Sequence, residues 1–155
     1  MPITDLKRVL ELLSNINISK MSIVEISEII RPALVGLLIQ KICPINKELS
    51  VITISPEMEQ IIINALKEKN TTGISLDPTF TKNMLKAIAQ AYETASSKGD
   101  NCILLTSPII RKDLAILIRQ NIEDLHVLAF TELPETRRIN IIATIENKLQ
   151  EENNK

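Results

Sequence analysis

Hydrophobic and polar positions divide the chain into a helical opening and an alternating strand and helix pattern. Leu6, Val9, Leu10 and Leu13 follow three-and-four spacing and predict a short amphipathic helix that ends in the polar cluster at residues 14–17. Ser22 followed by Glu25 has capping-box spacing and predicts a second helix with Ile26, Ile29 and Ile30 as its buried stripe. Pro32 falls inside this pattern, where it removes one hydrogen bond and predicts a kink or break before the helix resumes over Ala33 to Ile42. Pro44 and Asn46 end it, with Cys43 at the junction as packing.

From Leu49 onward a Ser or Asp stands directly before a Pro three times, at Ser55-Pro56, Asp77-Pro78 and Ser107-Pro108. A cap needs extended backbone and a side-chain acceptor, and the first helical position needs no donor, so this pair suits a helix start. Each is followed by an apolar stripe: Met58, Ile62, Ala65 and Leu66; Phe80, Met84, Ile88 and Tyr92; Ile110, Leu114, Leu117 and Ile118. Two of the caps follow β-prone runs, 51–54 and 102–106, and the second run, CILLT, is apolar on both faces, as in a buried central strand. Strand 102–106, helix 108–121 and strand 126–130 make a βαβ unit with a parallel pair. Ile139, Ile141, Ala143 and Ile145 alternate on one face of a final strand, 138–145, taken as core and expected to return antiparallel. The predicted fold class is α/β (α+β): a helical segment at 1–44, then a mixed four-stranded sheet with about three covering helices over 47–147, and a polar flexible tail at 148–155.

Composition removes several functions. Of 155 residues, 45% are hydrophobic but only 2% aromatic, and Ile occurs 27 times, so the core is aliphatic and no base-stacking platform is available. The net charge of -1 lacks the basic footprint of nucleic-acid or anionic-membrane binding. The apolar run at Ala33 to Leu38 is far shorter than the roughly 20 residues that span a bilayer, and no secretory signal opens the chain. Cys43 and Cys102 have no CxxC spacing and read as reduced thiols of a cytosolic protein.

Candidate chemistry is sparse. His126 is the lone histidine and starts a strand, which reads as a structural or edge position, and Ser107 before Pro108 reads as a helix cap rather than a nucleophile. Gly36, Gly73 and Gly99 are dispersed, so no phosphate loop forms, and Glu57 with Glu59 or Asp100 with Asn101 have spacings that surface helices and turns produce by chance. No catalytic residue, metal site or cofactor is predicted. Lys67, Glu68 and Lys69 read as a solvated helix end. Glu132, Glu135, Arg137 and Arg138 form either a self-satisfied loop or a docking surface.

The segment HVLAFTELPETRRINIIATI resembles the C-terminal signature of the export-gate proteins of bacterial flagella and type III secretion systems, the FlhA-like family. PITDLKRVLELL, LSVITISPEMEQIIINAL and CILLTSPIIRKDLAILIRQNIEDLHVL resemble further segments of that family, in order and spacing, so the resemblance covers nearly the whole chain. It implies a longer parent with an N-terminal membrane region, a linker and four cytosolic subdomains assembled as a nonameric ring. Residues 1–44 then match the later part of the third subdomain and 47–147 the fourth, and Met1 marks an excised fragment or truncated gene. The resemblance implies ring contacts on the helical part, for which Lys7, Arg8 and Arg31 are the candidates here, and a gating role for the final subdomain. It implies as partners other copies of the chain, export-apparatus proteins and chaperone–substrate complexes. The cleft that receives the latter lies mainly in subdomains absent here, so no chaperone-contact residue carries over. The isolated chain is expected to be a monomer or weak oligomer, at the cytoplasmic face of an inner-membrane protein but with no membrane contact of its own. The alternative is a small cytosolic α/β enzyme or ligand-binding domain with its site at the carboxyl ends of strands 102–106 and 126–130.

Overall fold

The computed structural model describes residues 3–67 and 76–147, the side chains of 3–5 and 8 excepted. The chain divides into two compact units, 1–45 and 46–155. The predicted tail at 148–155 and the helix-end residues Glu68 and Lys69 lie outside the described residues.

The first unit holds helix α1 (Ile3–Ser14) and helix α2 (Ile23–Ile42), which pack against each other. Ser22 and Glu25 form the predicted capping box: the Glu25 amide donates to Ser22 Oγ at 3.2 Å and the Ser22 amide donates to a Glu25 carboxylate oxygen at 2.7 Å. Pro32 does not break α2, which runs through it. The proline removes a single backbone donor, and helix-forming residues on both sides carry the ladder past it. Ile26, Ile29 and Ile30 are half-buried rather than buried, and of this helix only Ile39 is buried.

The second unit runs β1 (Leu49–Ile54), α3 (Pro56–Lys67), α4 (Pro78–Ser97), β2 (Cys102–Thr106), α5 (Pro108–Arg119), β3 (His126–Ala129) and β4 (Ile139–Ile145). The three Ser/Asp-Pro junctions all cap helices: Met58 N donates to Ser55 Oγ at 3.3 Å, Phe80 N to Asp77 Oδ2 at 2.9 Å and Ile109 N to Ser107 Oγ at 3.4 Å. Helix α4 ends in a Schellman turn, with Asp100 N donating to the Ala95 carbonyl and Gly99 N to that of Ser96. Gly99 has φ +79°, the left-handed conformation that this turn needs and that a side chain disfavours.

The sheet has the order β3-β2-β1-β4, and every neighbouring pair is parallel. It is therefore not the mixed sheet expected, and β3 and β4 are not a closing pair but opposite edges. A short helix-free connection normally favours an antiparallel return, because parallel neighbours need a longer crossover. Here residues 130–138 instead carry the chain back across the sheet. Three strand spacings of about 14 Å, combined with a return of about 17 Å along the strands, make a span of about 22 Å, within the roughly 30 Å that such a segment reaches when extended. The Leu49 amide closes the crossing by donating to the Arg138 carbonyl at 3.0 Å.

One face of the sheet carries Ile52, Ile54, Cys102, Leu104, Val127 and Ile145 into a core with Met58, Ile62, Phe80, Met84, Ile88, Ile110, Leu114 and Ile118. The predicted stripes of α3, α4 and α5 thus supply the core, although Leu66, Tyr92 and Leu117 reach only its margin and Ala65 is half-buried. On the other face Leu49, Val51, Ile103, Leu105 and Leu128 are also buried, which is why β1 and β2 read as continuous apolar runs.

Strand β4 departs from its predicted pattern. Its register against β1 shifts between Val51 and Ile52: Ile141 lies opposite Val51 but Ala143 lies opposite Ile52, leaving Ile142 as the extra residue. A one-residue bulge switches the alternation from one face to the other. Ile139 and Ile141 therefore lie on the Val51 face, 42% and 57% exposed, whereas Ala143 and Ile145 lie on the helix-covered face, Ile145 only 4% exposed. The four residues are not one core stripe. We predict that Ile145→Asp unfolds the second unit, because an unpaired charge in an aliphatic core costs several kcal/mol, while Ile141→Asp shifts the melting temperature by no more than a few degrees. Thermal unfolding of both variants separates these outcomes.

Candidate docking surface and the strand carboxyl ends

The loop between β3 and β4 is built from local hydrogen bonds. A single 3-10 turn, Phe130–Glu132, follows β3 directly. The Ala129 amide donates to Glu132 Oε2 at 2.7 Å, so this carboxylate fastens the turn to the end of the strand. Arg137 N donates to the Pro134 carbonyl at 2.9 Å and closes a second turn. Of the four predicted loop residues, Glu132 and Arg137 are half-buried, with Arg137 Nε withdrawn from solvent, and Glu135 and Arg138 are exposed. The geometry therefore divides them: one pair includes a carboxylate that holds the loop, and the other presents opposite charges to solvent. Phe130, not among the residues predicted from sequence, is 54% exposed beside them. The available signal was an aromatic residue at the start of a polar loop in a chain with only two Phe.

The candidate ring-contact residues lie in the first unit. Lys7 is exposed and pairs with Glu11 at 3.9 Å one turn along α1, an interaction worth only a few tenths of a kcal/mol. Arg8 is in the same helix, its side chain outside the described residues, and Arg31 is half-buried on α2 just before Pro32. Ile23, at the start of α2, is 86% exposed, and Val24, Leu6 and Leu10 are exposed as well.

At the carboxyl end of β2, where open α/β sheets bind ligands, the protein uses its own carboxylate. Glu59 Oε1 accepts from Thr106 Oγ1 and from the Ser107 amide, both at 2.8 Å. It thereby occupies the N-terminal donor of α5 and ties α3 to the β2–α5 junction. In sequence Glu59 is only a chance carboxylate; its position in the first turn of α3 gives no indication of a partner 47 residues away. His126 is exposed at the start of the edge strand β3, and Ser107 is a buried cap. Among the described residues, no three His, Cys, Asp or Glu side chains are gathered so as to hold a metal ion. Among the described residues, no helix is long and apolar enough to cross a membrane.

Cys43 and Cys102 are both free and buried. Burial, with a smaller contribution from the charge of Asp100, pushes the Cys102 thiol up to about 11.

The sequence of elements and the four-stranded parallel sheet define the class: a helical unit followed in the chain by an α/β domain. The chain matches the FHIPEP family model over residues 1–138 and belongs to that family. It is 30% identical over 146 residues to the flagellar biosynthesis protein FlhA of Buchnera aphidicola subsp. Acyrthosiphon pisum, an alignment that covers 92% of this chain and 20% of that protein. It superposes with a TM-score of 0.73 on the Chlamydia pneumoniae CdsV protein, solved in complex with CdsO, at 26% identity over 93% of this chain and 42% of that one. It also shares its fold with the nonameric EscV cytosolic domain of a type III secretion system, with a TM-score of 0.65 and 19% identity, covering 94% of this chain and 43% of that one. The chain thus spans about one fifth of the length of the flagellar relative.

Two outcomes follow from this geometry. Glu59→Ala should lower stability by about 2 kcal/mol, since two donors at a buried junction lose a charged acceptor, and Glu59→Gln should recover part of the loss; chemical denaturation measures both. The Cys102 thiol should resist alkylation at pH 8 in the folded protein and react on unfolding. Because the fold favours the neutral thiol, its contribution is complete below the ordinary value near 9 and is lost as pH rises toward about 11. Stability of the wild type relative to Cys102→Ala should therefore fall across that window.

Proposed function

We propose that this chain is the C-terminal cytosolic portion of an inner-membrane protein-export gate, of the kind that serves flagellar assembly or type III secretion. It acts as a structural and docking module and not as an enzyme. Family membership over residues 1–138 carries this reading, and the filled helix N-terminus at Glu59, where an α/β enzyme would hold an anion, supports it. The first unit corresponds to the later part of the third subdomain and the second unit to the fourth.

Assembly with further copies of the chain runs through the helical unit. The apolar residues of helix α2 are spread around its circumference, yet within this chain it buries only Ile39. A helix of that composition is suited to packing on more than one side, and Ile23 and Val24, with Lys7 and Arg31 as polar rim, form the surface we assign to ring contacts, to which Arg8 is added from its place in α1. Export-apparatus proteins and chaperone–substrate complexes engage the larger assembly, and the loop carrying Phe130, Glu135 and Arg138 is the docking surface assigned to this part. A CdsV protein of the same fold is solved with CdsO, which supports an apparatus partner for such domains.

The reading is tested in the organism that encodes the chain, by introducing Ile145→Asp into the gene and comparing export. We expect loss of flagellar or virulence-protein secretion with the membrane and general growth unaffected. Normal secretion by cells whose second unit has been shown to be unfolded would refute the assignment. For the docking loop, Glu135→Lys combined with Arg138→Glu should reduce export without lowering the melting temperature.

A further inference from the structure

We propose that the open edge of β4 is a self-association site, at which β4 of a second copy pairs antiparallel and joins two sheets across a two-fold axis. Strand β4 is the last in the order β3-β2-β1-β4, so its outer side carries no strand among the described residues. The Arg138 carbonyl is taken by Leu49 N on β1. By the alternation of a β-strand, the backbone groups of Ile139 and Ile141 therefore point outward, as free donors and acceptors for another strand.

Edges of this kind are usually protected by a lysine, a proline or a shortened strand. INIIATI has none of these: it is seven residues long, uncharged, and free of Pro and Gly. Asn140 and Thr144 are exposed together with Ile139 and Ile141. Among the described residues the one protective device is the bulge at Ile142, which twists the edge and keeps the pairing weak.

The charges at the two ends select the occupant. Arg138 precedes the strand and Glu146 follows it, and both are exposed. When two copies run antiparallel about an axis near the middle of β4, the Arg138 end of one lies beside the Glu146 end of the other, and the same holds at the far end. Parallel pairing would set Arg138 beside Arg138, so the flanking charges favour the two-fold arrangement. An axis perpendicular to the sheet keeps faces together, and it clusters Ile139 and Ile141 of both copies on the face opposite the helices. The same bulge that removes these two side chains from the core thus makes them available to a partner. The inference stands on the edge geometry and is independent of the export-gate reading.

The experiment is sedimentation equilibrium on the full chain from about 1 µM to 1 mM, the range in which a single weak strand pair associates, with hydrogen exchange at both ends of the range. We expect a monomer–dimer equilibrium and, at high concentration, added protection at the Ile139 and Ile141 amides. Ile141→Lys should weaken the dimer by about tenfold or more without changing the melting temperature, because this side chain lies outside the core. Arg138→Glu should weaken it too, and Arg138→Glu combined with Glu146→Arg should restore it. A wild type that stays monomeric throughout, association without protection of those amides, or a dimer indifferent to Ile141→Lys and to the charge exchange would each overturn the proposal.

Discussion

The parallel pairing of β4 with β1 is the constraint on which the second unit depends. Without it β1 would be an edge strand, although Val51 and Ile52 are both fully buried and point to opposite faces. With it, β1 lies between β2 and β4, and its backbone groups are satisfied on both sides. The requirement dictates the path of residues 130–138, which must leave one edge of the sheet and arrive at the start of the other. The carboxylate of Glu132 fixes the departure and the Leu49 amide fixes the arrival. The loop that carries the exposed charges is therefore first a crossover, held at both ends, and its outer residues are displayed from a fixed frame.

The helices are set by simpler rules. Three Ser/Asp-Pro junctions place an acceptor and a preset φ at the start of α3, α4 and α5. Their stripes then turn toward one face of the sheet and form an aliphatic core with a single buried aromatic, Phe80. Glu59 adds a polar tie between α3 and the β2–α5 junction that is long-range in sequence and short in space. Its effect is twofold: it locks two helices to one strand end, and it closes the position at which a related fold would receive a ligand.

The function proposed for this chain lies on surfaces. The buried, neutral thiol of Cys102 and the capping role of Ser107 remove two nucleophiles that composition alone would offer. What is presented instead is a helix with apolar residues around its circumference in the first unit, a loop with Phe130, Glu135 and Arg138, and an uncharged edge strand. In the proposed reading these are the surfaces that meet other parts, and the chain belongs to a family whose FlhA relative is several times longer than it.

The sequence by itself determined the local structure and the family. Caps, stripes and apolar runs are decided by neighbours within a turn or two, so helix starts, the core faces of α3, α4 and α5 and the buried character of β2 were legible from residue order. The resemblance of the segment from His126 to Ile145 was legible too, since it rests on residue identities. The tertiary structure alone decided the direction and position of β4, the continuity of α2 through Pro32 and the partner of Glu59. Strand direction depends on which edge is free when the sheet assembles, and no residue within 130–138 encodes that. The bulge at Ile142 has the same origin: Ile139, Ile141, Ala143 and Ile145 alternate without fault in sequence, and only the register against β1 separates two outward residues from two inward ones.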